Sequence, residues 1–176
     1  MGVLGWVAPP VSMLTGIDRK QLWLYTLAGV LVIVADRITK LVIAASMPLY
    51  GARPVVEGFF DLVHTRNTGI AFSLFSDSSP AVREIVIPVV SVIAVVFVVV
   101  LFFQSGSDSW RFRFGLTLVL AGALGNLYDR VVFGFVVDFL DFYVGGYHWP
   151  AFNVADSSIT TGAALLVLDS IISDRQ

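Results

Sequence analysis

Acidic side chains stand beside or within apolar sequence at several points of this chain: Asp36 in "ADRITK", Asp129 in "GNLYDR", Asp138 in "VVDF" and Asp156 in "NVADSS". Most have a candidate partner close by. Lys40 follows Asp36 by four residues, Arg130 adjoins Asp129 with Asn126 one turn earlier, and Asn153 precedes Asp156 by three. Two carboxylates held together in a low-dielectric site do not both ionise readily; they share a proton, leaving one as base and one as acid. Such a pair can activate a water against an amide and protonate the leaving group, without metal or covalent intermediate. Spacing alone does not say which acids meet, and Asp129 is as eligible as Asp138.

Competing chemistries lack their residues. Cysteine is absent, which removes disulfides, thiolate nucleophiles and cysteine metal sites together. Two histidines, His64 and His148, are too few for a typical zinc site. Neither a His-Glu-x-x-His helix motif nor a Gly-x-Ser-Gly elbow occurs. No metal and no cofactor is expected, and a net charge of −2 supplies no basic field for nucleic acid.

The elements that must carry these acids are membrane helices. Of 176 residues, 57% are hydrophobic and 14% charged, whereas a soluble domain is roughly half apolar and about a quarter charged. One membrane-embedded domain, residues 1–176, is expected. Ile85 to Phe103 is 19 residues without a charge, about 28 Å as a helix, with Pro88 expected inside its first turn. The other candidates are interrupted: Leu22 to Ala45 contains "DRITK", Phe114 to Tyr128 runs into Asp129 and Arg130, and Ser157 to Leu168 ends at Asp169. Arg19 and Lys20 before an apolar run resemble the start of a signal peptide, but the run continues through Asp36 and Lys40, which suits an uncleaved span better. The reading is a mainly α membrane protein with four transmembrane helices at about 21–45, 85–103, 112–133 and 154–172, preceded by an extension over 1–20.

If the four spans alternate direction, spans one, three and four deliver their ionisable groups to one face. Local explanations exist for each cluster: Asn153 and Asp156 read as a helix cap, Asp36 and Lys40 as an i,i+4 pair, Asn126, Asp129 and Arg130 as neighbours on one helix. Three clusters meeting on one face favour function, because acids at membrane depth are costly. On that face, the segment 46–84 mixes Val, Phe and Ile with Gly and Pro, suggesting short strands. "GFVVDFLDFYVGGYHWP" after span three is aromatic and glycine-rich, suggesting an interfacial segment, and its Gly145-Gly146 pair suggests a hinge on which Phe139–Trp149 moves as a lid over the cleft. Ala121, Gly122 and Gly125 would let span three pack closely on a neighbour. Arg19, Lys20, Arg111, Arg113 and Arg175 fall on one side and Arg53, Arg66 and Arg83, with Arg37, Lys40 and Arg130 at the membrane ends, on the other. The positive-inside rule therefore does not decide the orientation; a functional role for the second group would put both termini in the cytoplasm.

Five blocks in order, "DRITK", "RNTGIAFS", "GALGNLYDR", "VVDFLDFY" and "PAFNVADSSITTG", resemble bacterial lipoprotein signal peptidase, also called signal peptidase II. The resemblance runs from about Gln21 to Ile172 and departs at no motif position. It implies an aspartyl endopeptidase of the bacterial inner membrane, multi-pass, with its active site at the periplasmic face. Its substrate would be a prolipoprotein carrying a diacylglyceryl group on the cysteine that becomes the new N-terminus, and cleavage falls just before that cysteine. By the match, Asp138 and Asp156 are the catalytic pair. Asn126 and Arg130 help hold and polarise the site, and Asn153 orients the region around Asp156. Asp36, Lys40, Asn67, Gly69, Gly122 and Ala155 fall at further motif positions that support the site or contact substrate. The segment 46–84 would form a small extracytoplasmic β-sheet cradling the substrate. Membrane lipid is an implied partner, and peptide antibiotics of the globomycin type are implied inhibitors.

Two other classes compete on composition alone. A small proton-coupled membrane transporter also uses intramembrane Asp and Lys; it would show pH-driven flux and no hydrolysis. A structural scaffold would lose stability, not one activity, with every aspartate variant.

Overall fold

The computed structural model describes residues 18–69, 79–104 and 109–173. The N-terminal extension up to residue 17, the "RNTGIAFS" block beyond Gly69, residues 105–108 of the loop before the third expected span, and Arg175 lie outside the described residues.

Helix α1, Arg19–Ser46, is opened by a capping box. The Asp18 carboxylate accepts from the Gln21 backbone N–H at 2.7 Å, and the Gln21 side chain accepts from the Asp18 N–H at 3.4 Å, so two donors that no helical carbonyl can reach are satisfied. At 28 residues the helix is about 42 Å long. Its burial is inverted relative to a soluble helix. Asp36, Lys40 and Ile43 are its buried residues, while Leu27, Leu31, Ile38 and Leu41 lie more than half exposed. An apolar outer stripe with charges turned inward suits lipid outside and a polar bundle interior.

Helix α2, Ile87–Gln104, is entered through a π-helical turn at Val82–Val86. Pro88, expected in the first turn, is the second residue of α2, and the π turn before it begins the winding earlier than the apolar run suggests. Proline has no N–H to give the carbonyl one turn back. The ladder instead widens just before it, with the Ile87 N–H reaching the Val82 carbonyl. Helices α3, Trp110–Phe133, and α4, Val154–Ser173, follow. Three helical stretches, Val82–Gln104, Trp110–Phe133 and Val154–Ser173, are long and apolar enough to cross a membrane.

Helices α3 and α4 approach closely because glycine faces backbone across their contact. A Cβ on Gly115 would come within 2.9 Å of the Gly162 carbonyl oxygen, and one on Gly162 within 2.6 Å of the Gly115 oxygen. A Cβ on Gly122 would collide with the Ala155 carbonyl. Small residues permit this approach, and van der Waals packing holds it.

The sheet is antiparallel, in the order β1 (Ala52–Val56), β2 (Phe60–Asn67), β3 (Val136–Val144) and β4 (Tyr147–His148). One expectation changes here. Among the described residues the segment 46–84 supplies the first two strands, and the aromatic stretch after α3 supplies the other two. Gly134, at a φ of 76°, ends α3 in the left-handed region, with its N–H on the Arg130 carbonyl. The chain then turns directly into β3, whose Val136 pairs with Asn67 and Asp138 with Thr65. Gly145 and Gly146, both at positive φ, make the tight turn to β4. Phe139 and Leu140 also bond the Phe152 backbone, so the first part of the expected lid is anchored within the sheet. Ile43, Met47 and Phe139 form an apolar cluster joining α1 to β3, and Val98, Phe102 and Leu116 form another between α2 and α3.

Candidate active site

Where β3, α3 and α4 converge, a cavity of about 430 Å³ opens, with Asp138, Asp156, Asn67, Asn126 and Arg130 in its wall. Asp138 arrives on β3 and Asp156 in the first turn of α4. Asn153 is fully buried between them. Its side-chain Nδ2 donates to Asp138 Oδ1 at 2.7 Å, and its backbone N–H donates to Asp156 Oδ2 at 3.2 Å. Its Oδ1 accepts the Asp156 backbone N–H at 3.0 Å. The helix cap expected at Asn153 and Asp156 is real, and the same residue ties both acids together.

Each remaining carboxylate oxygen has an amide of its own. Asn67 Nδ2 donates to Asp138 Oδ2 at 3.0 Å, and Asn126 Nδ2 donates to Asp156 Oδ1 at 2.7 Å. Burial, followed by the negative charge of Asp156, raises the Asp138 carboxyl from its ordinary value to about 7; the Asn67 and Asn153 donors pull in the other direction.

Behind the pair lies a buried ion cluster. Lys40 Nζ, 1% exposed, lies 2.8 Å from Asp36 Oδ2 and 2.7 Å from Asp129 Oδ2, and donates to Asn126 Oδ1 at 2.9 Å. Asp36 uses its other oxygen to accept the Ala155 backbone N–H at 2.9 Å, which fixes the start of α4 against α1. Arg37 Nη1 bonds Asp129 Oδ1 at 3.0 Å. Arg130 reaches out of α3 to the Gly69 carbonyl at 2.8 Å through Nη2, and donates to the Asn126 carbonyl at 3.1 Å through Nη1. The Gly69 N–H donates to Asn67 Oδ1 at 2.9 Å, so Arg130 holds the segment that presents Asn67.

Spacing in the sequence leaves Asp129 and Asp138 as equals; the structure separates them. Asp129 faces Arg37 and Lys40, on the far side of Asn126 from Asp156, while Asp138 shares Asn153 with Asp156. Gly122 and Ala155 serve by allowing α3 and α4 to touch and by giving Asp36 an N–H. The sequence offers Asp129 as a candidate acid and not as the partner of Arg37 and Lys40, and it does not mark Trp149, Phe152 and Ile159 as apolar walls. Ile159 alone is legible from spacing, since it follows Asp156 by three residues, which puts both on one helix face. Among the described residues, no group of three His, Cys, Asp or Glu converges as metal ligands would. A pair of acids, four carboxylate oxygens each met by a donor, and an apolar-walled opening can handle one proton and one water beside an extended chain.

Known proteins share this arrangement of sequence and fold. The family model for signal peptidase (SPase) II matches residues 28–172. A lipoprotein signal peptidase of Desulforapulum autotrophicum is 44% identical over 147 residues, 84% of this chain and 91% of that one. One from Cupriavidus necator is 46% identical over 143 residues, 81% and 80% of the two chains. Two bacterial membrane enzyme structures obtained by the in meso method superpose well. The 2.3 Å structure has a TM-score of 0.71 at 33% identity, covering 86% of this chain and 89% of its own; the 1.9 Å structure has 0.74 at 31%, covering 82% and 90%. The chain therefore belongs to the signal peptidase II family of aspartic peptidases.

Proposed function

We propose that this enzyme cleaves the signal peptide from diacylglyceryl-modified prolipoproteins just before the lipidated cysteine, with Asp138 and Asp156 as its catalytic pair. The observation that carries the reading is Asn153, one buried residue hydrogen-bonded to both carboxylates at the wall of the same cavity. In the resting enzyme Asp138 holds the shared proton and Asp156 the charge. Asp156 lies in the first turn of α4, where backbone N–H groups face a negative charge, while Asp138, on a strand, has no such support and is pushed up to about 7. Asp156 takes a proton from water as its oxygen attacks the scissile carbonyl, and Asp138 gives its proton to the carbonyl oxygen. The tetrahedral intermediate collapses as the departing nitrogen takes up the proton gained by Asp156; the hydroxyl proton returns to Asp138, restoring the pair. Asn67, Asn126 and Asn153 keep the carboxyl groups in place, and Arg130, Lys40, Asp36 and Gly69 hold those amides.

The setting fits the substrate. A signal peptide leaves the membrane as a helix, its scissile bond sits at the rim, and the acyl chains on the cysteine remain in lipid. The cavity stands where the helices end and the sheet begins, with Trp149, Phe152 and Ile159 as apolar wall, and the sheet forms a cradle for the extended segment. The outward apolar stripe of α1 supports a fourth span beside the three apolar helices. Four spans put both termini on one side, and a site that faces the periplasm of the inner membrane puts them in the cytoplasm. Peptide antibiotics of the globomycin type would bind in this opening.

The reading is tested with purified enzyme and a synthetic prolipoprotein, with and without its diacylglyceryl group, and mass spectrometry of both products. Cleavage just before the modified cysteine, with the unmodified peptide left intact, is expected. Cleavage elsewhere, or equal cleavage of the unmodified peptide, would overturn it.

A further inference from the structure

A second, smaller cavity of about 130 Å³ lies between α1, the end of α3 and the sheet, and shares neither Asp138 nor Asp156. Its wall holds Arg37, Lys40, Arg66 and His64 with one acid, Asp129. Lys40 is committed to Asp36, Asp129 and Asn126. The two arginines are not. Among the described residues Arg37 bonds Asp129 through Nη1 alone, and its guanidinium lies 4.8 Å from the centre of the Phe133 ring and 5.3 Å from that of Tyr128. Arg66 is exposed, stacked 4.3 Å over Phe135, and among the described residues no carboxylate pairs with it. Phe133 and Phe135 themselves sit 6.3 Å apart, so two guanidinium groups are held over neighbouring rings at one opening. His64, in the same wall and 5% exposed, donates from Nδ1 to the Met47 carbonyl, and its buried Nε2 has no hydrogen-bond partner among the described residues.

We propose that this cavity binds the phosphate of an anionic phospholipid headgroup. Three cations against two carboxylates, Asp129 in the wall and Asp36 behind Lys40, leave one positive charge in excess, and planar guanidinium donors match phosphate oxygens. The position selects lipid over a free anion. Ile38 of α1 and Val131 and Val132 of α3, near the opening, are all more than half exposed as lipid-facing residues are, and Tyr128 and Phe133 supply the aromatic level at which headgroups sit. Basic pockets between membrane helices take lipid headgroups for this reason. The volume admits a phosphate and not an acyl chain, which stays outside along α1 and α3. Since Arg37 and Lys40 also hold Asp129, a lipid here would brace the ion cluster behind the active site.

The test is native mass spectrometry of the full chain released from micelles containing equimolar phosphatidylglycerol and phosphatidylcholine with matched acyl chains. Wild type should retain phosphatidylglycerol selectively. Arg66→Gln, an exposed position outside the hydrogen-bond network, should lower that retention about fivefold, with an unchanged thermal midpoint in lipid-free detergent and unchanged cleavage there. A parallel arm adds inorganic phosphate at constant ionic strength. Equal retention of the two lipids, or retention unaffected by Arg66→Gln, would overturn the proposal. So would full displacement of the lipid by inorganic phosphate, which would make the ligand a free anion, or a raised KM for prolipoprotein with lipid retention intact, which would make the arginines part of the substrate site.

Discussion

The buried ammonium of Lys40 donates to the carboxamide oxygen of Asn126 at 2.9 Å, and so turns that amide's NH₂ toward Asp156, which it meets at 2.7 Å. A lysine on α1 thus sets the direction of a hydrogen bond made by α3 to an acid on α4. Free rotation of the amide would present oxygen to oxygen in half of its orientations; the charge removes that option.

Lys40→Met should therefore fail twice over. It leaves Asp36 and Asp129 buried without their cation, at a cost of about 3–5 kcal/mol, and frees the Asn126 amide. The thermal midpoint in detergent should fall sharply and cleavage should be lost. A variant with wild-type stability would show that the cluster is not held together by this ion.

Asn153→Ala keeps the ion cluster but removes the donor to Asp138 and the cap of α4. Its effect should fall on kcat, by about a hundredfold for acids displaced by an ångström or so, with KM little changed. A loss confined to KM would place Asn153 in substrate binding instead.

Gly122→Ala tests the close approach of α3 to α4. The added Cβ meets the Ala155 carbonyl, and overpacking of this kind costs about 1–3 kcal/mol. Because Ala155 precedes Asp156, activity should fall along with the thermal midpoint. An unchanged enzyme would mean that the two helices can slide apart without disturbing the site.

The raised carboxyl of Asp138 predicts the sign of two pH effects. Because the fold holds this proton more tightly than the unfolded chain does, stability falls as pH rises from 3.8 toward about 7 and the loss is complete above that. Asp138→Asn should flatten that decline in thermal-melt series. In the wild type, kcat/KM should fall on an alkaline limb near pH 7 as the shared proton is lost. A rate that climbs through this range would contradict the assignment of Asp138 as the acid.

Much of this arrangement is legible in the chain, and the part that is not has a physical cause. Hydropathy locates the helices to within a few residues, because each long apolar run has no other stable place. The pairing of Asp36 with Lys40 and the cap at Asn153 follow from helical spacing, which is local. The choice between Asp129 and Asp138 does not, since it depends on where the chain turns after α3. Gly134 makes that turn, and it sends Asp138 into a strand while Asp129 stays on the helix facing α1. Within the sequence, only the resemblance to a family tells them apart. Strand β3 reads as an interfacial segment because "FVVDFLDFYV" is apolar on both faces, as befits a strand covered by α1 and by Phe152, so the alternation that marks a half-exposed strand is weak. The π turn before Pro88 escapes hydropathy, which reads composition and not which carbonyl each N–H reaches.

The central claim is that Asp138 and Asp156 act together on one water. The direct measurement is single-turnover cleavage of a diacylated prolipoprotein by wild type, Asp138→Asn and Asp156→Asn, each checked for an unchanged helical spectrum and cooperative melting. Loss of cleavage in both folded variants is the predicted result. Wild-type cleavage by either one would contradict the account.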